Sequence, residues 1–237
     1  MKSKIKPHSI DSEMFPPFNG FPEEGLKFLK QLKKNNNRPW FGENKHRYEE
    51  FLKEPMQSLI ATLKPPMADL APEIEVNPKK VFRIYRDTRF SKNKTPYKTN
   101  IAAVFNIRTG PTESAGFYLS IEPGEVYIGG GIYMPPSPLL KKLRYSIATN
   151  SHEFLSIVGS DSFHKKLGKV EGEKLARMPI GFPANHMMGE WLKHKWMFAG
   201  VTLPEDVCHS PKFAKKVMEV FAEVHPFVRF INDSIAG

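Results

Sequence analysis

The spacing of hydrophobic positions changes twice along this chain. Between residues 22 and 66, apolar side chains recur every three or four positions, as at Leu26, Leu29 and Leu32, which predicts amphipathic helices. Residues 81–133 hold short runs rich in β-branched and aromatic side chains, bounded by turn residues, which predicts strands. Helical spacing returns after residue 137. The pattern therefore predicts helices at both ends and a sheet in the middle.

Prolines and asparagines set the expected limits of the N-terminal helices. A first helix should begin near Pro22, and Asn37 has the side chain of a helix cap for a second. Pro55 falls inside the second apolar pattern and should kink or break it. Pro65 and Pro66 should end it.

The central runs predict a sheet with one buried face. In residues 116–122, Phe117, Leu119 and Ile121 alternate with polar or amphipathic side chains, as expected for a strand with one wet face. The predicted strands are 81–90, 101–107, 116–122 and 126–133, with a further one at 196–203. The fold class is α+β: a central, mainly antiparallel sheet of about four or five strands, flanked by N- and C-terminal helices.

Two serine–proline pairs and Ser151 predict where the C-terminal helices begin. Ser137 and Ser210 each precede a proline, the residue favoured in the first turn of a helix, and Ser151 should cap a short helix through residue 158. The last helical stretch should continue after Pro226. We expect residues 1–14 to form a flexible tail and residues 15–237 a single α+β domain.

Composition narrows the class of protein without naming a partner. Of 237 residues, 40% are hydrophobic, and the net charge is +10. A basic balance suits nucleic acid, an anionic membrane surface or small anions, and also a soluble protein with no polyanion partner. The single cysteine excludes an intramolecular disulfide. Without a signal-peptide pattern or a membrane-length apolar run, we expect a cytoplasmic protein that does not bind membranes. The oligomeric state is not predicted.

Residues 83–98, here called the basic block, concentrate the positive charge. Six of these sixteen side chains are cationic and only Asp87 opposes them. One interpretation is an anion-binding loop, since arginine and lysine bind phosphate and carboxylate groups. The other is structural pairing with acids such as Asp87, Glu122, Glu49 or Glu50. In an extended strand Arg86 would share the apolar face of Ile84, where a cation needs an acidic partner or a ligand.

Several segments of the chain resemble one protein family. They are Phe28, Leu29, Leu32, the sequence NNNRPWF at 35–41, Lys45, Tyr48 and Glu49, FRIYRDTRFSK at 82–92, KTPYKT at 94–99, IEPG at 121–124, GGG at 129–131 and Arg144. From about residue 20 to its C-terminus, the chain resembles the microbial domain-of-unknown-function family 2461. The resemblance implies a single cytosolic domain and no assigned activity. Asn93 departs from the family, which usually has Asp there, so this block has one more uncompensated positive charge.

The predicted site follows from the basic block together with the family pattern. Asp87 should orient the cations, and Asp87 with Glu122 could form a general acid/base pair if the strands bring them together. Asn36 is expected at the lip of the site. The residues predicted to bind the ligand are Arg86, Arg89, Ser91, Lys92, Lys94, Tyr97 and Lys98, with Arg38 and Trp40 at the lip.

Other constellations carry weaker signals. The glycines at 129–131 lack the ending of a phosphate-binding loop and predict a bend or a cavity wall. Neighbouring Cys208 and His209 do not have nucleophile–base geometry. Trp191 and Trp196 flank basic residues, as on single-stranded nucleic-acid surfaces, but core anchoring is the other interpretation. Histidine spacing predicts no metal site, and no cofactor is predicted.

Two functions from different classes remain. The first is binding of a small phosphorylated or carboxylated ligand in a basic pocket, with the question of catalysis left open. The alternative is a non-catalytic nucleic-acid-binding module. A focused concave site favours the first, and a basic stripe longer than a few nucleotides favours the second.

Overall fold

The computed structural model describes residues 14–107 and 114–236, so the predicted tail lies almost entirely outside the described residues. Helices come first, then strands, then helices again around one late strand. The elements are α1 Glu23–Lys34, α2 Arg38–Tyr48, α3 Glu54–Leu70, β1 Ile101–Asn106, β2 Gly116–Glu122, β3 Glu125–Ile132, α4 Ser137–Thr149, α5 Ser151–Val158, α6 Asp161–Leu167, α7 Gly189–Leu192, β4 Met197–Pro204 and α8 Lys212–Ala236.

The N-terminal helices follow the predicted limits except at one end. Asn37 caps α2 by accepting a hydrogen bond from the Trp40 amide at 3.0 Å. Where a kink or break was predicted at Pro55, the chain stays helical: a π-helical stretch, Glu49–Lys53, joins α2 to α3 just before it. A widened turn accommodates the missing amide hydrogen of proline.

The prediction that Pro65 and Pro66 end the helix was wrong. Both lie inside α3, which continues to Leu70. Each proline removes one backbone hydrogen bond, but the extra turn buries Met67 completely and offsets that loss. The Met67 carbonyl then accepts from Ala71 at 2.8 Å and closes the helix.

The four strands pair in sequence order, β1-β2-β3-β4, and every pairing is antiparallel. This confirms the α+β class with helices on both flanks of the sheet. Register places Val104, Tyr118, Gly129 and Gly200 side by side across the sheet. Side chains on that row share one face, because alternate residues of a strand point to opposite sides.

Residues 81–90 do not form the predicted strand. Val81 bridges Ala103 on the free edge of β1, and the Phe82 amide donates to the Ala102 carbonyl at 3.0 Å. The chain then leaves the sheet, and Tyr85 bridges Tyr97 instead. The Arg86 amide and the Ile84 carbonyl bond to the returning chain, at Pro96 and Lys98, and not to a neighbouring strand.

Helix α8 covers one face of the sheet and leaves the other uncovered by it. Phe117 on β2 and Phe105 on β1 contact Phe221 of α8, with ring centroids 4.8 and 5.5 Å apart. A Cβ built on Gly130 would lie 2.7 Å from Val228 of the same helix. This close approach fixes the covered face, so Tyr118 and Tyr127 lie on the opposite face.

The C-terminal helices depart from prediction only in detail. Ser151 is the first residue of α5, and Asn150 occupies the cap position before it without a side-chain hydrogen bond. Helix α8 runs without interruption through Pro226 and buries Phe227 and Phe230 beyond it. The predicted continuation after Pro226 is therefore confirmed.

Candidate functional site

The basic block is a short antiparallel turn-back of the chain outside the sheet. The Arg86 amide donates to the Pro96 carbonyl at 2.9 Å, and the Lys98 amide donates to the Ile84 carbonyl at 2.7 Å. Ile84 and Tyr97 are buried and anchor the two arms. The residues between them hold most of the charge and are exposed or half-buried.

Asn36 and Phe41 dock this block on the N-terminal helices. The Asn36 amide group bonds the Tyr97 backbone twice, donating to its carbonyl and accepting from its N–H, both at 3.0 Å. Phe41 of α2 stacks on the Tyr97 ring at a centroid distance of 4.1 Å. Asn36 and Tyr97 therefore act as the attachment of the block, whereas the sequence predicted them at a ligand site.

Arg86 is half-buried, and its partners are hydroxyl groups. Its Nη1 donates to Thr95 Oγ1 at 2.7 Å, and its Nη2 makes a long contact of 3.5 Å with Ser91 Oγ. Among the described residues no carboxylate pairs with Arg86. Asn93 Oδ1 accepts from both the amide and the hydroxyl of Thr95, at 3.0 and 2.8 Å. The acid expected beside a half-buried guanidinium is thus replaced by neutral oxygens.

Asp87 pairs with Arg89. Arg89 donates through Nε and Nη2 to the two carboxylate oxygens, at 3.0 and 2.7 Å. These hydrogen bonds hold the pKa of Asp87 at about 2. A carboxylate that stays ionised to so low a pH is poorly suited to proton transfer near neutrality. Its partner Arg89 is the cation of the block that fits the structural-pairing interpretation.

Four further cations of the block form no ion pair with a carboxylate among the described residues: Arg83, Lys92, Lys94 and Lys98. Lys94 donates to the Thr88 carbonyl at 2.9 Å, which leaves its charge unneutralised. Lys98 is half-buried, and its ammonium lies 5.0 Å from the Phe82 ring centroid. Burial, and then the charge of Arg83, lower the pKa of Lys98. An anion bound beside Lys98 would offset both effects, because a negative charge favours the protonated ammonium.

The predicted lip residues lie beside the block but differ in exposure. Trp40 packs on Phe28, with ring centroids 5.6 Å apart, and is partly buried against the core. Arg38 is exposed at the start of α2, and its charge opposes the burial that raises the pKa of Tyr97. Arg38 is the lip residue whose charge is free to reach a ligand.

Glu122 ends β2 and has different neighbours from Asp87. Its register partner is Glu125, and burial, followed by repulsion from Glu125, raises the pKa of Glu122. In the part of the chain that the structure describes, no hydrogen bond or ion pair joins Glu122 to Asp87. The described contacts do not assemble the acid/base pair.

Exposed aromatic rings lie among the cations of the block and at its edge. Phe90 is 95% exposed, Tyr85 49% and Phe82 40%. The Arg89 guanidinium lies 5.8 Å from the Phe90 ring centroid. Basic groups interleaved with aromatic rings are typical of single-stranded nucleic-acid surfaces.

The uncovered face of the sheet holds a second site that the sequence did not predict, here called the aromatic cavity. Its volume is about 580 Å³. Tyr118, Tyr127 and Phe198 form a triangle whose ring centroids are each 6.2 Å apart. The remaining lining residues are Phe82, Val104, Asn106, Ser114, Gly116, Gly131, Tyr133, Glu171 and Trp196.

Two signals in the sequence pointed to this cavity without identifying it. The alternation in β2 placed Tyr118 on the wet face, and the glycines at 129–131 suggested a cavity wall. Gly131 does line the cavity, and Gly129 lies under the Tyr127 hydroxyl, which would be 3.0 Å from a Cβ there. The periodicity of the sequence does not show that β4 pairs with β3. That pairing brings Phe198 into the cavity.

The cysteine and the two tryptophans considered in the sequence lie in packed surroundings. Cys208 is buried, which raises the pKa of its thiol to about 12, and it donates to the Glu205 carbonyl. Trp191 packs edge-on against Phe154 at the core, whereas Trp196 lines the aromatic cavity. Within the described ranges, no group of three His, Cys, Asp or Glu side chains could hold a metal ion. No helix there has the length and hydrophobicity needed to cross a bilayer.

Comparison with known proteins identifies the family. The family model described as "Conserved hypothetical protein (DUF2461)" matches residues 24–230, most of the chain. No curated protein matches the sequence. The chain belongs to this family of conserved hypothetical proteins, which is the family that its sequence resembles.

Proposed function

We propose that the basic block binds a small phosphorylated or carboxylated ligand. The proposal rests on the surroundings of Arg86. Its guanidinium is half-buried and bonds to hydroxyl groups, and among the described residues no carboxylate pairs with it. Its contacts to Thr95 and Ser91 use two of the five N–H groups of a guanidinium, which leaves donors for an oxyanion.

Lys98 supports the same assignment. Its lowered pKa reports a positive charge that is desolvated and repelled by Arg83. A phosphate or carboxylate group would receive charge-assisted hydrogen bonds and remove that repulsion. Asn93 also supports the assignment, because the family resemblance implies an acid at this position and Asn93 is neutral. In this chain the position gives the block the same turn-forming oxygen without a negative charge.

The test is an anion-dependent melting experiment. Inorganic phosphate and sulfate should raise the melting temperature of the wild type, because a ligand that binds the folded state stabilises it. Arg86→Gln keeps an amide donor for Thr95 but loses the charge, and should lose most of this stabilisation. Arg177→Gln, at an exposed arginine outside the block, is the matched control and should retain it. Equal anion stabilisation of all three proteins would place the site elsewhere.

A nucleic-acid-binding module is the second candidate, and the exposed Phe90 favours it. A ring 95% exposed beside Arg89 offers a stacking platform for an unpaired base. If nucleic acid is the partner, affinity for short DNA or RNA must fall with salt, by a slope of about −0.7 per phosphate contact on single strands. It must also fall in Phe90→Ser. Submicromolar binding at physiological salt would make this candidate the leading one. Weak binding abolished at that salt would favour the small anion.

A further inference from the structure

The two edges of the sheet raise walls around the aromatic cavity. At the β1 edge, Phe82 is held by its backbone bond to Ala102. At the β4 edge, Glu171 exchanges two backbone hydrogen bonds with Phe198, at 2.7 and 3.0 Å. Tyr118, Tyr127 and Phe198 lie between these two edges, so aromatic rings from three strands and both edges line the cavity. The volume of about 580 Å³ is within the range of small-molecule sites.

The electrostatics of the aromatic cavity are opposite to those of the basic block. Among the described residues, Glu171 is the charged side chain that lines the cavity. It is exposed, and no ion pair involves it within the described parts of the chain. Burial, and secondly the charge of Glu171, raise the pKa of Tyr127, so the carboxylate acts on the aromatic lining. The faces of aromatic rings are themselves negative and attract cations.

We propose that the aromatic cavity binds an organic cation, an amine or quaternary ammonium group carried on an apolar body. The triangle of Tyr118, Tyr127 and Phe198 would contact the cation through ring faces, and Glu171 would supply the opposite charge. Trp196 and Tyr133, whose ring centroids are 5.5 Å apart, would contact the apolar body. This ligand class follows from rings and a carboxylate in one cavity, and it does not depend on the basic block.

Three probes with the same ring and different charges test the proposal. They are benzyltrimethylammonium, benzyl alcohol and benzylsulfonate, titrated into the whole chain. The three tryptophans give three indole N–H signals in a nitrogen-15 NMR spectrum, and Trp196 is the one that lines the cavity. We expect the cation to shift the Trp196 signal and to bind roughly tenfold more tightly than the alcohol, with the sulfonate weakest.

Glu171→Gln should remove most of the preference for the cation over the alcohol. Glu173→Gln is the matched control, because Glu173 lies on the same segment but pairs with Lys195 at 3.1 Å and does not line the cavity. Equal affinity for cation and alcohol, or no shift of the Trp196 signal, would overturn the proposal. Tightest binding of the sulfonate would also overturn it, and would connect the cavity to the anion site.

Discussion

The basic block and the aromatic cavity are adjacent, but they are built differently: the block from one segment of the chain, and the cavity from several. The block is one contiguous segment outside the sheet, with six cations and an irregular backbone. The cavity takes its rings from strands and edges that are far apart in sequence, placed by backbone register. Phe82, which lines the cavity and directly precedes the block, lies between the two sites: its ring is 6.4 Å from the Tyr118 ring and 5.0 Å from the Lys98 ammonium.

This difference shows how charge and shape are encoded separately. Charges cluster in the block because adjacent residues carry them, and the fold has only to attach the segment. The cavity exists only when β1, β2, β3 and β4 have paired. We therefore expect substitutions under the cavity to affect folding, and substitutions at the tip of the block to affect binding alone.

Gly131→Ala should give the largest effect. Gly131 has φ of 154°, and an added Cβ would lie 2.2 Å from the Met197 carbonyl oxygen of the next strand. The strands must move apart, which should cost about 3 kcal/mol of unfolding free energy. Urea denaturation measures this. Gly42→Ala, in exposed helix with no atom within 4 Å of the added Cβ, should be neutral or stabilising by about 0.5 kcal/mol. A smaller loss at Gly131 than at Gly42 would refute the argument.

The attachment of the block should come second. Asn36→Ala removes both hydrogen bonds to the Tyr97 backbone and should cost about 2 kcal/mol, since partly buried groups lose their partners. Amide hydrogen exchange should rise most at residues 84–98. Asn35→Ala removes one exposed bond to the Gln31 carbonyl and should cost less than about 0.5 kcal/mol. Comparable losses from the two variants would mean that the block is not held through Asn36.

The sequence predicted features that one segment determines alone. Alternation along β2 located its buried face, and Asn37 identified the start of α2, because both signals depend on neighbouring residues. The error at residues 81–90 arose because Ile84 and Tyr97 anchor a separate turn-back, a pairing between segments that periodicity does not encode. The missed end of α3 arose because burial of Met67 outweighed the local effect of two prolines.

For the site, too, the sequence predicted the features that one segment determines, but not the contacts within it. Clustered charge identified the basic block, but not that Asp87 would pair with Arg89 or that Arg86 would have only hydroxyl partners. Those contacts depend on how the turn folds back on itself. The ligand-binding role of the block stays a prediction, as does the division into a tail and one domain.

Asp87 should stay ionised over the physiological pH range. The pKa of Asp87 is lowered to about 2 by its hydrogen bonds to Arg89. Its contribution to stability is thus fully present above the unfolded-state pKa of about 3.9, and is lost as pH falls through about 2. The carboxyl carbon of Asp87 should titrate near pH 2 by NMR. In Arg89→Gln the midpoint should return toward 3.8. An unchanged midpoint would assign the shift to another cause.

The smallest effect on folding is expected at Lys92 and Lys94, two exposed lysines of the block. Lys94 makes one bond to the Thr88 carbonyl. Replacing both residues by Ala should change the unfolding free energy by no more than about 0.5 kcal/mol, as is usual for surface positions. Thermal stabilisation by phosphate should nevertheless fall clearly, because the binding energy of an anion includes the charges around it.

The matched control is the double variant Lys169→Ala, Lys215→Ala, which removes the same charge from exposed positions outside the block. If phosphate stabilises that control as it does the wild type, the loss in the Lys92, Lys94 variant belongs to the block and not to net charge. If both double variants lose phosphate stabilisation equally, the anion effect depends on the net charge of the protein and not on the block. Outright unfolding of the Lys92, Lys94 variant would show that the tip of the block is structural, and would remove the contrast with the aromatic cavity.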